Sequence, residues 1–170
     1  MTLPDHPEEE IPPFEVVYER YAADVYRFCL IQLRNAAAAE DVTAEVFAAA
    51  LAAYQRVRPS DGVKFWLLRI ARNIVTSQWR RESRWVRVSR LLRGSPSQAS
   101  VQQIAEVRAE LEAVVAATGR LRPRDRILIG LRSAGLSSAE VAKFLHISES
   151  AAKVATHRAL KALRAQLEDY

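Results

Sequence analysis

Residues 121–164 read LRPRDRILIGLRSAGLSSAEVAKFLHISESAAKVATHRALKALR. Two helical patterns meet here across a tight turn. Ser137-Ser138-Ala139-Glu140 is a capping box that opens the run Val141 to Leu145. A serine at the N-cap accepts from the third helical N–H, and a glutamate at that third position reaches back to the cap's own N–H. The next break, His146-Ile147-Ser148, ends the first helix and places Ser148 as cap of a longer one, from Glu149 to about Leu167. A short helix, a tight turn and a longer helix form a helix-turn-helix, whose second helix fits the DNA major groove. DNA is therefore the first partner that the sequence implies.

The periodicity of the longer helix divides it into two sides. Its expected inward stripe is Ala152, Thr156, Ala159/Leu160, Leu163 and Leu167, and its other side presents Ser150, Lys153, Val154, His157, Arg158 and Lys161. The first turns of a recognition helix meet base edges and later basic residues meet phosphates. Base reading is accordingly expected of Ser150, Lys153, Val154 and His157, with Arg158 and Lys161 on the backbone. Arg122, Arg124 and Arg126 open the preceding helix, where basic side chains and free N–H groups also suit phosphate.

A second constellation lies upstream, on a helix expected from about Lys64 to Arg84. It comprises Phe65, Trp66, Arg69, Arg72, Asn73, Gln78, Trp79, Arg80, Arg81, Arg84 and Trp85. Aromatics interleaved with Arg and Asn suit single-stranded DNA, because bases stack on rings while arginines follow the backbone. Core packing is the usual fate of aromatics at helical spacing, and it is the preferred reading for Phe65. Charge clustering supports a polyanionic partner: residues 62–94 hold nine basic groups and one acidic group, Glu82, whereas residues 1–19 hold six acidic groups and no Lys or Arg. The net charge of the chain is +5.

Other classes of function find little support. Glu40 to Phe47 puts Asp41 and Glu45 one turn apart, but a metal or catalytic site needs further ligands and none of the three histidines (His6, His146, His157) lies nearby. This pair reads as a solvated face or a protein-docking face. There is no glycine-rich phosphate loop, nucleophile–base pair or metal-ligand cluster, so no catalytic residue, metal or cofactor is expected. The single cysteine, Cys29, precludes an intrachain disulfide and reads as a buried, inert thiol. The acidic, proline-bearing start MTLPDHPEEEIPP is the reverse of a signal peptide, and no apolar run reaches membrane-spanning length. A cytoplasmic setting follows as the expectation.

The organisation read from these signals is all-α, with two small helical domains joined by a flexible basic linker. Residues 1–13 read as a disordered acidic tail and 14–84 as the first domain. That domain holds a helix from Phe14 (Phe14, Val17, Tyr18, Tyr21, Val25, Phe28, Cys29 inward), one from about Ala37 to Tyr54 (Val42, Val46, Phe47, Ala50, Leu51) and the third (Phe65, Leu68, Ile70, Ile74, Val75). Residues 85–102 lose periodicity and gain Gly, Ser and Pro, which marks a linker. A helix from about Val101 to Ala117 leads into the helix-turn-helix domain, 103–170.

These pieces in this order resemble the extracytoplasmic-function (ECF) group of bacterial sigma factors, from Phe14 to Leu167. FEVVYERYAADVYRF is similar to the family's opening helix, and AEDVTAEVF to its core-binding segment. FWLLRIARN resembles its promoter-melting and −10 segment, and GLSSAEVAKFLHIS with HRALKALR its −35-reading helix-turn-helix. The resemblance implies a subunit that docks on core RNA polymerase, with Asp41, Glu45 and Phe47 against the β′ clamp helices and the C-terminal domain on the β flap. Lys64, Trp66, Arg69, Arg72, Asn73, Trp79 and Arg80 would hold the melted −10 strand. Ser150, Lys153, Val154, His157, Arg158, Lys161 and Arg124 would meet the −35 duplex. The linker, with Arg84, Arg87, Arg90 and Arg93, would thread toward the RNA exit path, and an anti-sigma protein would hold the subunit inactive.

Four positions depart from the family pattern: Ala44 for Gln, Ser77 for Asp, His146 for a turn Gly and Ala155 for Arg. The alternative reading is a conventional helix-turn-helix regulator that dimerises on paired half-sites without joining polymerase. That reading leaves Trp66, Trp79 and the AEDVTAEVF face unexplained.

Overall fold

Capping chemistry sets the helix boundaries. The computed structural model describes residues 12–54, 62–82 and 98–168, and all regular elements among them are helical. They are α1 (Phe14–Leu33), α2 (Ala36–Tyr54), α3 (Val63–Glu82), α4 (Gln98–Ala117), a single 3-10 turn (Thr118–Arg120), α5 (Pro123–Ser133), α6 (Ser138–Leu145) and α7 (Glu149–Glu168). Arg34 closes α1 in the left-handed region (φ 56°), its N–H donating to the Leu30 carbonyl. Asn35 then opens α2, its Oδ1 accepting from the Ala38 N–H at 2.9 Å. Pro123 takes the first position of α5, where its missing N–H costs nothing.

α1 is the hub of the fold, packed by α2, α3, α4 and α5. Contact on so many sides buries residues beyond one stripe: Tyr26, Ile31 and Gln32 are as inaccessible as Val17, Val25, Phe28 and Cys29. The Cys29 thiol is pushed up to about 12 by its burial, with a hydrogen bond from Thr43 acting the other way, so it stays protonated at neutral pH.

The expected core holds for Val42, Val46, Phe47 and Ala50 on α2 and for Phe65, Leu68 and Val75 on α3; Leu67 and Ala71 join them, whereas Ile70 and Ile74 are half-buried. Three inward assignments are corrected. Leu51, Leu160 and Leu167 are 56%, 48% and 38% exposed. Each stands at the edge of its helix's apolar arc, left exposed among the described residues.

The helices on either side of residues 83–97 pack together in one continuous core. Phe65 of α3 meets Phe144 of α6 edge to face at 5.1 Å between ring centroids. Gly130 of α5 lets that helix approach α1 so closely that a Cβ there would lie 2.5 Å from Gln32 Nε2 and 3.0 Å from Phe28 Cδ2. Gln32 Nε2 in turn donates to the Arg126 carbonyl at 2.9 Å. Most of the 85–102 segment lies outside the described residues, but α4 begins at Gln98, earlier than the expected start near Val101. Residues 1–11 also lie outside them. Pro12 and Pro13, read as the end of a tail, are held: the Tyr54 hydroxyl donates to the Pro12 carbonyl at 2.7 Å and Pro13 caps α1.

Candidate nucleic-acid interface

The helix-turn-helix forms as its capping signals dictate. Ser137 Oγ accepts from the Glu140 N–H at 3.2 Å, and the Ser137 N–H donates to Glu140 Oε2 at 2.7 Å. α6 ends at His146, left-handed at φ 55° and ψ 46°, with the Ile147 N–H returning to the Ala142 carbonyl at 3.0 Å. This is a C-cap geometry that favours glycine. Ser148 Oγ then accepts from the Ala151 N–H at 3.2 Å and starts α7.

α7 packs on α4, α5 and α6 through Ala152, Thr156, Ala159 and Leu163, all buried. Ser150, Lys153, Val154, His157, Arg158 and Lys161 are all exposed, so the structure brings these six together on one outward surface. Lys153 Nζ is paired with Glu149 Oε1 at 2.8 Å, and Ser150 Oγ lies 3.1 Å from Ser148 Oγ. Arg122 and Arg124 stand exposed at the start of α5, where no side chain caps the helix. Arg126 differs from them. It is half-buried, its Nη1 donates to the Leu121 carbonyl at 3.0 Å, and burial together with the neighbouring Arg34 charge lowers its pKa. Ala155 is half-buried, so this position faces the flank of α7 rather than its outward centre.

On α3, Arg69 and Asn73 are exposed, and Trp66 is half-buried with its ring stacked on Tyr54 at 6.4 Å. Lys64 and Arg72 are engaged within the chain. Lys64 Nζ contacts Asp24 Oδ2 at 2.7 Å and the Ala134 carbonyl at 2.9 Å, and the Arg72 guanidinium lies 5.7 Å from the centre of the Phe144 ring. The side chains of Trp79 and Arg80 lie outside the described residues. Asp24 carried no signal in the sequence, because its role appears only when α1 is laid beside α3.

Asp41 and Glu45 are exposed one turn apart on α2, on a surface completed by Ala44, Ala48, Leu51 and Ala52. Phe47 is corrected: it is 4% exposed and packs edge-on against Phe14 and Tyr18, so it supports this surface from beneath. Among the described residues no three His, Cys, Asp or Glu side chains group to hold a metal ion. None of the described helices is long and apolar enough to cross a membrane.

The Sigma-70 region 2 family matches residues 17–85, and the Sigma-70 region 4 family matches residues 111–163. The ECF RNA polymerase sigma factor SigX of Bacillus subtilis is 30% identical over 170 residues, covering 91% of this chain and 84% of its own length. The chain belongs to the ECF sigma factors. SigL of Mycobacterium tuberculosis, another ECF RNA polymerase sigma factor, is 32% identical over 166 residues, covering 90% of this chain and 88% of its own length.

Two solved structures share the fold of this sigma factor. RpoE of Bartonella quintana, in complex with the anti-sigma factor NepR, superposes with a TM-score of 0.68 at 20% identity, over 91% of this chain and 96% of its own. CnrH, in complex with the cytosolic domain of CnrY, gives 0.64 at 23% identity, over 92% and 88%. The region 2 match also disfavours the conventional regulator, which gives residues 17–85 no role.

Proposed function

We propose that this sigma factor gives core RNA polymerase its promoter choice by reading two DNA elements with two helices. α7 enters the major groove of the −35 element, with Ser150, Lys153, Val154 and His157 at base edges and Arg158, Lys161 and Arg124 on phosphates. α3 holds the melted −10 strand through Lys64, Trp66, Arg69, Arg72, Asn73, Trp79 and Arg80. Residues 14–84 and 103–170 act as the two promoter-reading units, with 85–102 threading between them toward the RNA exit path. Asp41 and Glu45 dock on the β′ clamp helices, and the C-terminal unit sits on the β flap. The protein does no covalent chemistry itself and works in the cytoplasm.

The observation that carries this reading is the segregation on α7: its small residues are buried and all six DNA-facing side chains stand exposed on one side. Strand opening is favoured because extruded bases gain protein contacts that the duplex cannot offer, against about a few kcal/mol per base. Lys64 and Arg72 must exchange their present contacts, with Asp24, Ala134 and Phe144, for phosphates. Promoter engagement at −10 thus competes with packing of the two halves. An anti-sigma partner, such as those in the RpoE and CnrH complexes, fits this scheme by holding the sigma factor away from polymerase.

Run-off transcription tests the proposal. Core polymerase with the purified chain is expected to give discrete transcripts from a genomic promoter pool. No transcript above core polymerase alone contradicts it.

A further inference from the structure

Val154 is 51% exposed on the outward side of α7. Its surface neighbours, one turn either way, are Ser150, Ala151, His157 and Arg158, none of them a large apolar residue. The side chain covers no core. At an exposed helical site a β-branched residue is also a poorer choice than alanine, so packing and propensity leave it unexplained.

Its chemistry is narrow. Val154 lies in the second turn of α7, the part of a recognition helix that meets base edges. Two polar members of the same group already have partners beside them: Lys153 with Glu149 at 2.8 Å and Ser150 with Ser148 at 3.1 Å. Val154 has no hydrogen-bonding group and offers two methyls, held by a single strongly preferred helical rotamer. Of the features that the four base pairs display in the major groove, one is apolar, the thymine C5-methyl.

We propose that Val154 packs against the C5-methyl of one thymine in the −35 element and makes that thymine a specificity-determining position. The assignment rests on the reading of α7 as the −35 helix, and it says which base feature that helix reads.

The test starts from a duplex selected out of a randomised −35 library by the holoenzyme of full-length chain and core polymerase. One selected thymine, replaced by deoxyuridine, loses only its methyl. Binding is expected to weaken about fourfold, the equivalent of one buried methyl(ene) group. Holoenzyme with Val154→Ala is expected to bind the thymine and uracil duplexes alike; alanine suits an exposed helical site, and thermal melting verifies that this variant is folded. Equal binding of both duplexes by the unsubstituted holoenzyme overturns the assignment, as does discrimination that persists in Val154→Ala. A selection that returns no −35 sequence at all removes the underlying reading of α7 instead, so the two failures are distinct.

Discussion

Lys64 Nζ lies 2.7 Å from Asp24 Oδ2 and also donates to the Ala134 carbonyl at 2.9 Å. One ammonium group therefore joins α3 to α1 and to the end of α5. The pair is partly shielded, with side-chain exposures of 30% and 19%, so it is screened less than a free surface pair. Lys64→Met leaves Asp24 and the Ala134 carbonyl without this donor and is expected to lower stability by about 1–2 kcal/mol. Urea denaturation of Lys64→Met, Asp24→Asn and the double variant checks it: the double variant should lose less than the sum of the two.

Gly130 is a second point where the halves meet. An added Cβ would meet Gln32 Nε2 and Phe28 Cδ2, so the buried Gln32 side chain would have to shift from its bond to the Arg126 carbonyl. Gly130→Ala is expected to cost about 1–3 kcal/mol, as overpacking does, despite the gain in helix propensity. A thermal melt reads the change, and an unaltered or higher midpoint contradicts the close approach.

His146 occupies the left-handed turn position at φ 55° and is exposed. A left-handed conformation costs an L-residue with a side chain roughly 1–2 kcal/mol, and glycine avoids that cost. His146→Gly is therefore expected to raise stability by about 0.5–1 kcal/mol, part of the gain being offset by added freedom in the unfolded chain. Chemical denaturation measures it.

Much of this was legible in the sequence because the signals are local. The capping box at Ser137 and the Ser148 cap involve residues within a few positions of one another, and each appears where it was expected, as do Ala152, Thr156, Ala159 and Leu163 of the α7 stripe. What was not legible depends on which helix arrives alongside. Leu51, Leu160 and Leu167 have the periodicity of core residues but are exposed among the described residues, whereas Tyr26 and Ile31 lie off the expected stripe and are buried because α1 is surrounded. Phe47 matched a docking motif yet serves the core. The partnership of Lys64 with Ala134 spans 70 positions, beyond any periodicity argument.

Glu140 gives a pH signature. Its carboxyl is held below its ordinary value of 4.5, first by the Ser137 backbone N–H and then by the Ser137 side chain. A carboxyl with a lowered folded-state pKa contributes stability that is whole above 4.5 and fades as pH falls through the folded value. Ser137→Ala is expected to cost about 1 kcal/mol at neutral pH, and Glu140→Gln, which removes the titrating carboxyl, is expected to flatten the acid limb of the stability curve below 4.5. Urea midpoints between pH 3 and 7 check both effects.

The central claim is that one chain reads both promoter elements on polymerase, and footprinting of a single complex tests it most directly. With core polymerase, the full chain and a promoter found by run-off transcription, the −35 duplex should be protected from nuclease while −10 thymines become reactive to permanganate. Lys153→Ala with Lys161→Ala should weaken the −35 protection, and Arg69→Ala with Asn73→Ala should reduce the −10 reactivity while leaving −35 protected. Protection at −35 by the chain alone, with no −10 opening when polymerase is added, would contradict the account.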